Sequence, residues 1–213
     1  MSDASTDADP VTSADDLRTG GTVLPITRWG TPVMHARTRP VTTYDDALRA
    51  LCRDMFATMY AAEGVGLAAT QVGLDIALFV FDCPDDDQVR HVGVVCNPQV
   101  TLPEGKDRKL EAADEGCLSL PGAYAELARP DTAVCRGEDA YGNPVEIVGT
   151  GLLARCLQHE TDHLNGTVFG DRLAGRARKK LYAKHAELAD RYPADWPVSG
   201  IIGPRGEDHP PTD

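Results

Sequence analysis

No run of apolar residues in this 213-residue sequence approaches the roughly twenty needed to cross a bilayer as a helix, so no membrane span is expected. Met1 to Gly20 also lacks the basic start and apolar stretch of a secretory signal, and the expected compartment is the cytoplasm. A basic excess is missing too: 21 Lys and Arg face 33 Asp and Glu, for a formal charge of −12. That excludes bulk nucleic-acid binding over a broad face, while leaving room for a local basic patch. More than half of that net charge sits at the ends, with five Asp against Arg18 in residues 1–20 and four acidic residues against Arg205 in residues 193–213. There are six cysteines, but neither the export signal nor the short length of a disulfide scaffold. Cys52, Cys96, Cys135 and Cys156 lie in apolar-periodic segments, where a thiol packs as a small hydrophobe. Cys117 stands apart, between Gly116 and Leu118-Ser119 and outside any long apolar run. No internal repeat is visible.

What is present, 42% apolar and 25% charged residues, is the composition of a soluble globular protein. The expected division is a flexible acidic tail over residues 1–20, one domain over 21–192 and a Pro-rich acidic tail over 193–213. The first holds too few apolar residues to offset the entropy of ordering, and the last is marked by five prolines and its acidic residues as disordered or loosely attached. Leu24-Pro25-Ile26 suggests an extended arm. A helix is expected over about 43–63, started by Thr43 with Asp46, since Leu48, Leu51, Cys52, Met55, Phe56, Met59 and Tyr60 keep helical spacing. Gly64 to Ala69 fits the letters of a dinucleotide fingerprint, but it follows a helix and precedes a strand, which is the wrong context. Strands are expected at 76–82, at 92–96 up to Asn97-Pro98, and as a hairpin at 132–136 and 144–148. Val168-Phe169 reads as a short extended piece. A last helix over 174–191 carries Arg176, Arg178, Lys179, Lys180 and Lys184.

The chemistry is concentrated in Gln158-His159-Glu160-Thr161-Asp162-His163-Leu164-Asn165-Gly166, which contains H-E-x-x-H. Thr150 at the start, Leu152, Leu153, Cys156, Leu157 and Leu164 at helical spacing, and Asn165-Gly166 at the end mark a helix. Residues four apart share a helix face, so His159 and His163 can hold one ion between them, with Glu160 beside it to take a proton from a water. A thiolate from Cys117 supplies a third ligand and leaves a tetrahedral position open. Leu152, Arg155 and Cys156 precede His159 by seven, four and three residues, and should line the floor beside the metal. His35, His91, His185 and His209 read as separate surface residues. A zinc endopeptidase and a metal-stabilised binding module remain alternatives on this pattern.

Three motifs in order, Gly64-Val65-Gly66-Leu67-Ala68-Ala69-Thr70-Gln71, Glu115-Gly116-Cys117-Leu118-Ser119 and Gln158-His159-Glu160-Thr161-Asp162-His163, resemble those of peptide deformylase. The resemblance spans about residues 23–192. It implies an α+β metallohydrolase, with small mixed or antiparallel sheets around a central metal-binding helix and a helix towards each end. The implied reaction removes the formyl group from the N-terminal formylmethionine of nascent bacterial polypeptides, releasing formate by attack of metal-bound hydroxide. The implied ion is Fe²⁺, with Zn²⁺ or Ni²⁺ as substitutes, on Cys117, His159 and His163. Glu160 is implied as general acid and base, and the Gln71 amide and Leu118 N–H as oxyanion donors. The backbone of Val65 and Gly66 would edge the methionine pocket opposite Leu152, Arg155 and Cys156. Glu115 and Arg129 resemble an ion pair bracing the Cys loop, and the basic helix suggests docking on the ribosome. Tyr124 stands where many members carry Arg, and Arg155 where an aliphatic residue is common.

Overall fold

The structure, a computed structural model, describes residues 14–201. The first helix, α1 (Asp46–Ala61), buries Leu48, Cys52, Met55, Phe56 and Met59 on one face. Its cap is Asp45, whose Oδ1 accepts from the Leu48 N–H at 3.0 Å, and not Thr43. Asp45 lies three residues before that orphan donor, the distance at which a short carboxylate reaches back. A short strand β1 (Gly66–Ala68) and a 3-10 turn (Ala69–Val72) follow, then β2 (Leu78–Pro84) and β3 (Arg90–Thr101). Strands β4 (Leu110–Gly116) and β5 (Tyr124–Pro130) form a separate antiparallel pair. Strands β6 (Thr132–Glu138) and β7 (Pro144–Thr150) complete a five-stranded antiparallel sheet in the order β1-β2-β3-β6-β7.

β2 explains how the layers assemble. Its run Leu78-Phe79-Val80-Phe81 lacks polar alternation because both faces are covered. Leu78 and Val80 join the cluster of Cys52, Met55, Phe56 and Met59 from α1. Phe79, Phe81 and Cys83 point the other way, onto Leu153, Cys156 and Leu157 of α2 (Gly151–Leu164). The sheet is thus held between two helices, and α2 lies across it as its central support. The mixed α+β class is as expected, with all strand pairs antiparallel.

Several expected details differ. β3 continues past Asn97-Pro98, because a bulge between Cys96 and Gln99 takes up the left-handed Asn97 (φ 53°) and the proline. The Thr150 hydroxyl does not cap α2; it accepts from the Asp86 N–H at 3.2 Å. Gly166 ends that helix as expected, with φ +76° and the Ala36 backbone where a Cβ would lie. Val168 leads into a 3-10 turn over Phe169–Arg172, and the last helix divides into α3 (Gly175–Leu188) and a turn Ala189–Arg191.

The expected tails also meet packed structure. Leu17, in a 3-10 turn (Asp15–Leu17), and Trp196 are both buried in the α1 cluster, so residues 14–20 and 193–201 are attached to the body. Composition hid this because one apolar side chain in a polar stretch finds its partner only in three dimensions. Residues 1–13 and 202–213, including His209, lie outside the described residues. No helix among the described residues is long and apolar enough to cross a membrane.

Asp45→Ala should lower stability by about 1 kcal/mol, the usual cost of losing an N-cap, as a lowered urea midpoint at unchanged slope. A shift matching that of Thr43→Ala would contradict the assignment of the cap.

Candidate active site

α2 buries a thiol-and-imidazole centre. His159 and His163 lie one turn apart, their Nε2 atoms 3.2 Å from each other, and Cys117 Sγ is 3.2 Å from His163 Nε2. The three ligand atoms all fall within 4.8 Å of one another, and all three residues are buried. Cys117 arrives from the end of β4, in the tight loop that leads to β5.

What aligns this centre is Glu115, two residues before the cysteine. Its Oε1 accepts from Arg129 Nη2 at 2.6 Å and lies 2.7 Å from His159 Nδ1. Its Oε2 accepts from Arg129 Nε at 2.7 Å and Arg155 Nη1 at 2.8 Å. Burial alone would raise this carboxyl's pKa, but Arg129 and His159 outweigh it and hold it well below the usual range. With Nδ1 engaged, His159 presents Nε2 to the centre. Burial also disfavours the charged His159 ring, yet Cys117 and Glu115 raise its pKa well above the ordinary value. His163 goes the other way, lowered by burial and by His159.

Glu160 is a contrasting carboxylate. It is buried, its Oε2 has no partner among the described residues, and burial pushes its pKa up to about 7. Gly66 lies against it: a Cβ there would come within 2.5 Å of Glu160 Oε1 and 2.8 Å of Cys156 Sγ. A side chain at position 66 would therefore displace the carboxylate. Gln71 is aimed from the turn after β1. The Ala68 N–H donates to its Oε1 at 2.9 Å, which turns its Nε2 towards Cys117 Sγ at 3.6 Å and Ser119 Oγ at 3.4 Å.

A cleft of about 580 Å³ opens onto Cys117, Leu118, Gln71, His159 and Glu160, and Val65, Gly66, Leu152, Arg155 and Cys156 all line it. The sequence-predicted site residues thus come together, with two refinements. Arg155 is no bare floor residue, because its guanidinium also donates to Leu127 O at 2.9 Å and Glu111 O at 3.0 Å, tying α2 to the β4–β5 pair. Leu152 stays half exposed at the rim. The Glu115–Arg129 pair continues to Asp162, which accepts from Arg129 Nη1 at 3.0 Å and from Arg172. Asp162 was missed in the sequence; its signal was an acid seven residues after Arg155, on the same helix face. His91 lies 2.8 Å from Asp85 Oδ2, His35 Nε2 contacts the Trp29 carbonyl, and half-buried His185 faces Pro121 O at 3.4 Å.

Antiparallel sheets around a helix that bears H-E-x-x-H, with a cysteine brought to both imidazoles, mark a hydrolase of the metal-dependent class. The chain matches the family described as Polypeptide deformylase over residues 23–179, and it belongs to that family. It is 54% identical over 177 residues to peptide deformylase 1 of Streptomyces avermitilis, covering 83% of this chain and 82% of that one. To peptide deformylase 2 of Streptomyces coelicolor it is 52% identical over 169 residues, covering 79% and 93%. A crystal structure of peptide deformylase from Legionella pneumophila superposes with a TM-score of 0.71 at 37% identity, covering 81% of this chain and all of that one. The Synechococcus elongatus enzyme, solved in complex with actinonin, gives 0.69 at 38% identity over 79% of this chain and 90% of that one. Hydrolytic removal of the N-formyl group from methionyl peptides follows from family membership.

Arg129→Met should destabilise the protein by about 3 kcal/mol, because it strips two donors from a buried carboxylate. Denaturant unfolding reads this directly, and a loss under about 1 kcal/mol would mean that Arg155 and His159 alone keep Glu115 satisfied.

Proposed function

We propose that this chain deformylates nascent polypeptides at their N-terminal formylmethionine, with the reacting groups all inside residues 21–192 and the cytoplasm as its compartment. The observation that carries the mechanism is the buried Oε2 of Glu160, without a partner among the described residues, beside the Cys117, His159 and His163 cluster. One thiol and two imidazoles within reach of each other fit a divalent transition ion, and Glu115 on His159 Nδ1 is the outer contact such a ligand needs. We read the ion as Fe²⁺, with Zn²⁺ or Ni²⁺ able to replace it. When bound, it would supply Lewis acidity, acidifying water towards neutrality.

The chain's own residues do the rest. Glu160 Oε2 takes the proton of the water that attacks the formyl carbon and returns it to the departing amine nitrogen, releasing formate. A carboxyl raised towards neutrality suits both halves of that transfer. The Gln71 Nε2 and the Leu118 backbone N–H donate to the oxygen on which charge develops. Gly66 and Val65, in contact with Cys156, line the cleft together with Leu152 and Arg155, where the methionine side chain lies. The Glu115–Arg129–Arg155 network keeps these groups fixed through turnover.

Formate release from a formyl-Met-Ala-Ser peptide by anaerobically purified protein tests this reading. Glu160→Ala should reduce kcat by about 10²–10⁴-fold while metal content stays unchanged. Undiminished release in the variant would remove Glu160 from the mechanism. No release by iron- or nickel-loaded wild type would remove the reaction itself.

The basic helix supplies a partner. Arg176, Arg178, Lys179, Lys180 and Lys184 are all exposed on or beside α3, against an otherwise acidic chain. Their charge suits ribosomal RNA near the emerging peptide. Replacing Arg176, Lys179 and Lys180 together by Glu should abolish low-salt co-sedimentation with ribosomes and leave peptide deformylation in solution intact; unchanged sedimentation would refute the docking.

A further inference from the structure

The family match ends at residue 179, but the cleft extends beyond it. Leu188, Tyr192, Trp196, Pro197 and Ile201 line the same cavity as Cys117, His159 and Glu160, and Tyr124 of β5 joins them. This C-terminal stretch is held firmly in place. Arg28 Nη2 donates to Tyr192 O at 3.0 Å and Pro193 O at 2.8 Å, and its guanidinium carbon lies 5.6 Å from the centre of the Trp196 ring. The Ile26 N–H donates to Trp196 O at 2.8 Å, while the next residue, Thr27, donates to Gln71 O at 2.8 Å. One arm therefore joins the C-terminal stretch to the turn that aims Gln71. Tyr192 packs edge-on against Trp196, with ring centres 5.3 Å apart.

The stretch also presses on the loop that carries the cysteine. Gly122 has φ +76°, and the space a Cβ would fill there is bounded by Leu188 Cδ1 at 2.8 Å and the Tyr192 hydroxyl at 2.9 Å. A side chain at position 122 would push the wall away. About 580 Å³ is enough to hold a short peptide, more than a single terminal residue occupies. The surface added by residues 188–201 is mainly aromatic and aliphatic, with Arg191 as its charged member. Such a surface gains from an apolar side chain and offers little to a small polar one.

We propose that Tyr192 and Ile201, together with Tyr124, form a specificity subsite for an apolar or aromatic side chain of the substrate downstream of its formylmethionine. This rests on the deformylase reading and extends it from the terminal residue to the sequence that follows. Tyr192 and Ile201 act by binding the peptide, not by touching the reacting atoms.

The test compares kcat/KM for formyl-Met-Ala-Ser, formyl-Met-Phe-Ser and formyl-Met-Ala-Phe, using metal-loaded full-length protein. At least one Phe peptide should exceed formyl-Met-Ala-Ser by about tenfold, the scale of one well-buried apolar group. That gain should fall below about threefold in Tyr192→Ala and in Ile201→Asp, leaving a burial contribution too small to matter. Ile201 is exposed at the rim, so its replacement keeps the test valid even if Tyr192→Ala loosens the wall; equal melting temperatures check this. The proposal fails if neither Phe peptide gains more than about twofold, or if the gain survives in both variants. Absence of formate from all three peptides would instead overturn the deformylase reading.

Discussion

One buried carboxylate fixes the centre. Glu115 has two oxygens with room for about four donors, and the structure fills them: Arg129 twice, Arg155 once and His159 once. A buried charge with any of these places empty would be costly, whereas a saturated one is tolerated and directional. Its partners come from different parts of the chain. Arg129 belongs to the strand paired with Glu115's own, while Arg155 and His159 belong to α2. Satisfying one side chain therefore brings the two-stranded sheet against the helix. Cys117, two residues further on, is carried to the imidazoles by the same act. Asp162 and Arg172 extend the network, so its charges alternate instead of accumulating.

The five-stranded sheet supplies the rigidity that such a network needs. Because β2 is covered on both faces, α2 cannot shift without exposing Phe79, Phe81 or Leu157. Close packing then sets the tolerance at the site. Gly66 gives the clearest case: its missing side chain is the space in which the Glu160 carboxylate sits. A side chain at position 66 would have to displace a buried acid of the neighbouring helix.

Local, periodic features were the legible ones. His159 and His163 share a face by helix geometry alone, and the apolar stripe of α1 needs no tertiary knowledge. The strands β4 and β5 were not legible. Leu110-Glu111-Ala112-Ala113-Asp114-Glu115-Gly116 is acidic and small, mostly exposed, and becomes a strand by pairing with residues 124–130. Arg155 was readable as a helix-face residue, but its direction was not, because the acceptors at Glu115, Leu127 and Glu111 are distant in sequence. The ends misled for a related reason. Leu17 stands alone among Asp, Arg and Thr and Trp196 lies in a Pro-rich stretch, and both are buried in the α1 cluster.

Glu115 and Glu160, two buried glutamates near His159, show how environment divides identical chemistry. Glu115 and Glu160 are both buried, and both pay the desolvation that raises a carboxyl pKa. Glu115 is surrounded by cationic donors and stays ionised, so it can orient but has no capacity left to move a proton. Glu160 keeps one oxygen without a partner among the described residues and sits near neutrality, so its proton is available at modest cost. Divergent pKa values separate an anchored carboxylate from one able to exchange a proton, and here the separation comes from Arg129 and His159 hydrogen-bonding Glu115 while Glu160 Oε2 has no partner among the described residues.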